Sequence, residues 1–243
     1  VVVGPAAWND LRGVHASARD LSPDFEAEAK RLHLEVVVAA WDRSEGRTKY
    51  VRAKKAAMKV ALKTLTEELA RYDPAFVRRI GFRRILICAG LSKDGSRAWG
   101  MAVPETGTLI YNTDAAQGGL STVRHIIHHE IGHLFDLSSS TPGSADPPWM
   151  AANRKGWDYG DRASAWGAGK LDHHDLGLVN SYAAWHPEED KAEIFGLMLT
   201  RSDAVILACA NDPHLNEKVR LMDLRVRRIG SPPEGWPSWK RLK

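Results

Sequence analysis

Four of the chain's ten histidines fall within nine residues: His125, His128, His129 and His133. Two of them frame the stretch His129-Glu130-Ile131-Gly132-His133. On a helix, residues four apart share a face, so both imidazoles can reach one ion. Glu130 points beside that ion, where it can take a proton from water held there. Two neutral imidazoles plus a carboxylate leave a fourth position open for water, which makes one zinc ion the expected cofactor. Ile126, Ile127, Ile131, Leu134 and Phe135 surround the pair and should bury it, and a buried carboxylate such as Glu130 needs a partner or a task. His125, one turn earlier, falls on the same face and is a candidate to line the substrate; His128 falls off it.

The third ligand has to come from elsewhere. The metzincin extension requires Gly and His at positions that here hold Asp136 and Ser139, so that class is excluded. Asp158, in Gly156-Trp157-Asp158-Tyr159-Gly160, is a loose candidate. The stretch from Ser181 to Phe195 is a better one. Pro187 suits a first helical turn, and the positive end of a helix accounts for Glu188 and Asp190 beside it. It does not account for Glu193, which sits in the apolar run AEIFGLML. Glu189 and Glu193 lie one turn apart on one face and repel each other unless a cation or a histidine intervenes. The natural solution makes Glu189 the third zinc ligand and Glu193 an acceptor that fixes a ligating imidazole ring. Glu188 remains its rival. Tyr182 and His186 are both within reach as electrophilic donors, and Trp157 is a candidate to line the substrate.

At this point the sequence resembles a known group. His-Glu-x-x-His, then a Tyr seven residues before the ligand Glu, then Glu-x-x-x-Glu, is similar to the gluzincin-type arrangement of the anthrax lethal factor and Pro-Pro endopeptidase group. It also resembles the bacterial zinc-binding metallopeptidase families. The resemblance covers roughly 107–200. It implies zinc on His129, His133 and Glu189, Glu130 as general base, and Tyr182 as the hydroxyl that steadies the oxyanion. The activity implied is hydrolysis of a peptide bond by metal-activated water, with a peptide or protein as substrate. A strand at the edge of the sheet, 97–103 or 107–112, would pair with the substrate backbone.

The elements that must position these groups can also be read. Ser121-Thr122 opens a helix reaching about 137, and helices are expected at 188–200, 202–210 and 213–228. Strand-like runs occupy 83–89, 97–103 and 107–112. Upstream, Ser22-Pro23-Asp24 starts a helix read over 24–41, and an amphipathic helix is read over 48–72 with an apolar stripe of Val51, Met58, Leu62, Leu65 and Leu69. Residues 138–180 lack a period, but Trp149, Trp157 and Trp166 argue against simple disorder, and Asp172-His173-His174-Asp175 is a further polar cluster there. The expected class is α+β, a zincin-like metallopeptidase core with a small mixed sheet, an active-site helix, and helical N- and C-terminal parts. The expected division is a helical region over 1–80, the catalytic domain over 81–228 and an irregular tail over 229–243.

A chain of 243 residues with 44% hydrophobic and 26% charged residues is ordinary for a soluble globular protein. No apolar run approaches membrane-span length. The start VVVGPAAW lacks both a signal-peptide pattern and an initiator Met, so a secreted protein or a trimmed product without its targeting segment is expected. The net charge of +4 is uneven, with +10 over residues 43–93 against −8 over 94–212. The basic block carries no nucleic-acid motif and no interleaved aromatics, so a solvated helix face is expected rather than a nucleic-acid partner. Cys88 and Cys209 lie in apolar runs, which suits buried thiols, with a single bridge as the alternative. A different class remains, an inactive zincin-like module of a toxin or phage particle that works through its basic helices. Such a module need not keep base, oxyanion donor and second glutamate together, and this chain has all of them.

Overall fold

In a computed structural model, the structure describes residues 21–39, 43–45, 47–138, 146–160, 168–172 and 177–237. The run Ile85-Leu86-Ile87-Cys88 is fully buried, as expected of a strand covered on both faces. It forms the first half of β4 (Arg84–Lys93), the strand around which the sheet is built. That half lies between two parallel neighbours, β1 (Glu35–Val38) and β7 (Thr108–Asn112). Its second half pairs antiparallel with β3 (Thr48–Val51) and the short β5 (Ser96–Arg97), and β2 (Arg43–Glu45) extends the sheet beyond β3. The remaining strand, β6 (Gly100–Val103), runs antiparallel to β7 at the end of the strand order. Alternate residues of β4 therefore serve two cores. Ile85 and Ile87 face the large helical cluster, while Leu86 and Cys88 join a smaller one with Val37, Tyr50 and Ile110.

The helices are α1 (Pro23–Arg31), α2 (Lys55–Leu69), α3 (Pro74–Arg79), α4 (Leu120–Ser138), α5 (Pro147–Ala151), α6 (Pro187–Thr200), α7 (Ser202–Cys209) and α8 (Pro213–Ile229). The expected α+β class, with a small mixed sheet and helices at both ends, is what forms. Two helices read from the sequence are shorter than expected. The helix read over 24–41 stops at Arg31, His33 takes a positive φ of 58°, and 35–38 become β1. Its three valines are β-branched and pair with β4, an outcome that long-range contact rather than local period decides. The helix read over 48–72 begins only at Lys55, because Thr48 and Tyr50 alternate inward as β3, and Val51 is exposed rather than part of the stripe. The rest of that stripe, Met58, Leu62, Leu65 and Leu69, is buried while Lys55, Lys59 and Lys63 are exposed. The run 97–103 is split between β5 and β6. Both cysteines are buried and free. No helix among the described residues is long and apolar enough to cross a membrane.

The irregular chain before α6 is held by buried charge. Lys218, with 0% exposure, places Nζ 2.6 Å from Asp190 Oδ2 and 2.7 Å from the Gly177 carbonyl. Trp149 Nε1 and the Tyr159 hydroxyl donate to the same Asp190 oxygen at 2.9 and 2.6 Å. Lys191 bridges Asp136 (2.9 Å) and Asp146 (3.0 Å), and Arg225 grips Asp146 with two bonds. The Trp149 ring lies within 6.0 Å of all three cationic groups. After α8 the described residues 230–237 are irregular and are anchored by Trp236, whose Nε1 donates to Asp223 at 3.0 Å and whose ring meets that of Phe195 at 5.3 Å; residues 238–243 lie outside the described residues. Residues 139–145, 161–167 and 173–176 lie outside the described residues, and with them Trp166 and the His173-His174 pair.

Removing one partner of a buried pair strands the other charge. Lys218→Met should therefore lower stability by about 3–5 kcal/mol in urea unfolding, and adding Asp190→Asn should recover part of the loss. A single-variant loss under about 1 kcal/mol would mean that the pair is not needed to hold this segment.

Candidate metal centre

Among the described residues, helices α4 and α6 pack against each other more extensively than any other pair of helices, and two glycines permit the approach. A Cβ on Gly132 would lie 3.1 Å from the Ala192 Cα, and one on Gly196 would lie 2.8 Å from the His125 ring and 3.2 Å from the His129 backbone nitrogen. A glycine inside a helix costs about 1 kcal/mol relative to alanine, so its use there needs a packing reason. With the backbones this close, Glu189 and Glu193 on α6 face His125, His129 and His133 on α4.

Three ligand atoms converge. His129 Nε2 lies 3.1 Å from His133 Nε2 and 3.2 Å from Glu189 Oε2, and His133 Nε2 lies 3.5 Å from that same oxygen. Ligands at 2.0–2.1 Å around tetrahedral zinc are separated by about 3.3 Å, so the triangle has the size zinc requires. Glu189 Oε2 is a buried oxygen without a hydrogen-bond partner among the described residues. A cation at the centre would satisfy it. The residues present therefore fit a zinc ion.

A second group, His125, His129 and Glu193, also brings three ligand atoms together. Its geometry argues for a supporting layer instead. Glu193 Oε1 lies 2.8 Å from His125 Nε2 and 2.9 Å from His129 Nδ1, distances of hydrogen bonds and ion pairs, though the approach to His129 Nδ1 is off the hydrogen-bond line. Glu193 Oε2 is already engaged by Gly169 and Asn180. A proton on His129 Nδ1, facing Glu193, leaves the Nε2 lone pair for the metal.

The electrostatics agree with this division. Burial opposes charge on His129, but Glu189, Glu193 and Glu130 together outweigh it and hold its pKa well above the usual imidazole value. Burial would raise the Glu189 carboxyl, yet His133 and His129 bring it well below the usual range. Glu130 is pushed upward, chiefly by burial, against the pull of His129 and His133. Its carboxylate accepts a hydrogen bond from the Ala102 backbone of β6. Gly100 on the same strand leaves it room, since a Cβ there would sit 2.8 Å from Glu130 Cγ. Tyr182 packs its ring 5.8 Å from that of His129, and burial together with Glu189, Glu130 and Glu193 pushes its hydroxyl pKa far upward.

Other sequence candidates fall outside the triangle. His125 is 3% exposed behind Glu193, a place unlike the substrate-lining one expected for it. Glu188 is half-buried beside Glu189 and offers no atom to either group of converging ligands among the described residues. His186 is the exposed N-cap of α6. Trp157 is half-buried under Arg154, 5.4 Å from its ring centroid, and meets the Tyr159 ring edge-on. His128 lies on the opposite side of α4, where the Tyr72 hydroxyl donates to Nδ1 at 2.6 Å and Nε2 donates to Glu68 at 2.8 Å. Burial lowers its pKa to about 4 against the pull of Glu68, so it serves as a neutral tie between α4 and α2. Asn180, Gly169 and the two helix glycines went unread in the sequence; a glycine between two ligands was the one available signal.

No family model and no curated protein sequence matches this chain. Among solved structures, it is similar to one described as a "putative zinc-binding metallo-peptidase" from Bacteroides caccae. The TM-score is 0.52 at 15% identity, covering 94% of this chain and 92% of that one. The likeness establishes a metallopeptidase-like fold.

With the His129 pKa held well above the usual imidazole value in the metal-free protein, zinc has to compete with a proton for Nε2. Zinc affinity should fall as pH falls below the raised His129 pKa, by about tenfold per pH unit for one displaced proton. Chelator competition between pH 6 and 8 measures this, and a flat affinity would contradict the assignment of His129 as ligand.

Proposed function

We propose that this protein is a zinc-dependent metallopeptidase that hydrolyses peptide bonds, of the gluzincin type and near the anthrax lethal factor and Pro-Pro endopeptidase group. The observation that carries the reading is the convergence of His129 Nε2, His133 Nε2 and Glu189 Oε2 at 3.1–3.5 Å, beside a buried Glu130 that β6 holds in place. The order of His129, Glu130, His133, Tyr182, Glu189 and Glu193 along the chain supports the finer placement. One zinc ion, when bound, supplies a Lewis acid that polarises the scissile carbonyl and acidifies water.

The chain's own groups do the rest. Glu130, with a pKa raised above the usual carboxylate value, takes the proton from the attacking water and returns it to the leaving amine. Tyr182, whose phenol stays protonated, donates to the oxyanion as the carbonyl becomes tetrahedral. Glu193 holds His129 so that Nε2 faces the ion. The substrate backbone adds to β6. Of the two strands expected for that role, β7 lies between β4 and β6, while β6 ends the strand order.

Glu130→Gln should retain zinc while peptide turnover falls by about 10²–10⁴-fold. Tyr182→Phe should retain zinc with a loss of about 10²–10³-fold in kcat. Cleavage profiling on a diverse peptide library, with metal content measured alongside, checks both. A Glu130→Gln enzyme that keeps its activity would refute the base, and a zinc-loaded wild type inert on every peptide would refute the peptidase.

A further inference from the structure

Glu193 is fully buried, and partners from three parts of the chain surround it. Oε1 meets His125 Nε2 at 2.8 Å and His129 Nδ1 at 2.9 Å, both from α4. Oε2 accepts from the Gly169 backbone at 2.9 Å and from Asn180 Nδ2 at 2.5 Å. An ionised carboxylate has about four lone-pair sites; three hydrogen-bond donors engage it, and His129 Nδ1 lies beside them at ion-pair distance. Such a group has little freedom to turn, so the edge it shows His129 is set by its other partners.

Those partners are themselves held. Asn180 has 0% exposure; its Nδ2 also donates to the Lys170 carbonyl at 2.9 Å, and its Oδ1 accepts from the Ala183 backbone at 2.9 Å. The His125 ring lies between two glycines. A Cβ on Gly169 would be 2.9 Å from it, and one on Gly196 would be 2.8 Å away. Neither Asn180 nor His125 is in the His129–His133–Glu189 triangle, and both touch the carboxylate that contacts one of its rings.

We infer that His125 and Asn180 are positioning residues of the metal centre: through Glu193 they fix the His129 ring, and they couple the docking of Gly169 and Asn180 to zinc occupancy. The inference rests on the zinc reading above. Coupling between two binding events is reciprocal. If the docked segment strengthens zinc binding, zinc must strengthen the docking by the same factor.

Asn180→Asp is the selective variant. It keeps Oδ1 for Ala183 and replaces Nδ2, the donor to Glu193 and to the Lys170 carbonyl, with a second carboxylate oxygen. Zinc affinity, measured by chelator competition on the full chain, should fall by about 10–100-fold, the usual effect of losing an outer partner. His125→Leu should lose a comparable factor, and His125→Gln, which restores a donor toward Glu193, should recover most of it. In the wild type, zinc should slow amide exchange at Gly169. Folded variants that bind zinc within about twofold of wild type would overturn the inference, as would Gly169 exchange indifferent to zinc. Should Asn180→Asp fail to fold, the His125 pair decides alone. A wild type that binds no zinc is a different result, and it removes the metal reading itself.

Discussion

The separation of α4 and α6 is the constraint on which the site depends. Gly132 and Gly196 remove the two Cβ atoms that would hold the helices apart, and only at that separation does a carboxylate from the first turn of α6 reach two imidazoles on α4. A positive helix end at Pro187 favours an ionised Glu189 there. The metal triangle is thus less a property of three side chains than of one helix crossing. The sheet serves the same end: β6, the last strand in its order, carries Gly100 and Ala102 against Glu130 and so holds that carboxylate on the other flank of α4.

Four of the five charged residues of α6 are engaged with groups elsewhere in the fold. Glu189 faces His129 and His133; Asp190 faces Lys218, Trp149 and Tyr159; Lys191 faces Asp136 and Asp146; Glu193 faces His125, His129, Gly169 and Asn180. An amphipathic surface helix would turn such residues to solvent. Here each side of the helix meets an opposite charge or a donor, which satisfies the desolvation cost of burial. Two of these sets bind the irregular chain before α6, one through Trp149 and Tyr159 and the other through Gly169 and Asn180. The described parts of the segment that had no period in the sequence are therefore organised from α6 outward.

Much of the centre was legible because it obeys helical spacing. His129 and His133 are four apart, and so are Glu189 and Glu193; the apolar setting of Glu193 already demanded a partner. The α4 and α6–α8 helices follow from their periods and from Pro187 and Pro213 at their starts. The strands at 35–38 and 48–51 were not legible, because Val36–Val38 and Thr48–Val51 adjoin helical patterns and become strands only through β4. Asn180 and Gly169 were hidden for a similar reason. Their role comes from reaching a carboxylate 13 and 24 residues away in the chain, and no local pattern records that.

The central claim is one zinc ion held by His129, His133 and Glu189. The most direct measurement is an anomalous difference map at the zinc edge from crystals of the zinc-loaded protein. The account predicts a single peak per chain, within about 2.2 Å of His129 Nε2, His133 Nε2 and a Glu189 oxygen. A peak on His129 Nδ1 between His125 and Glu193, or no peak at the α4–α6 crossing, would contradict it.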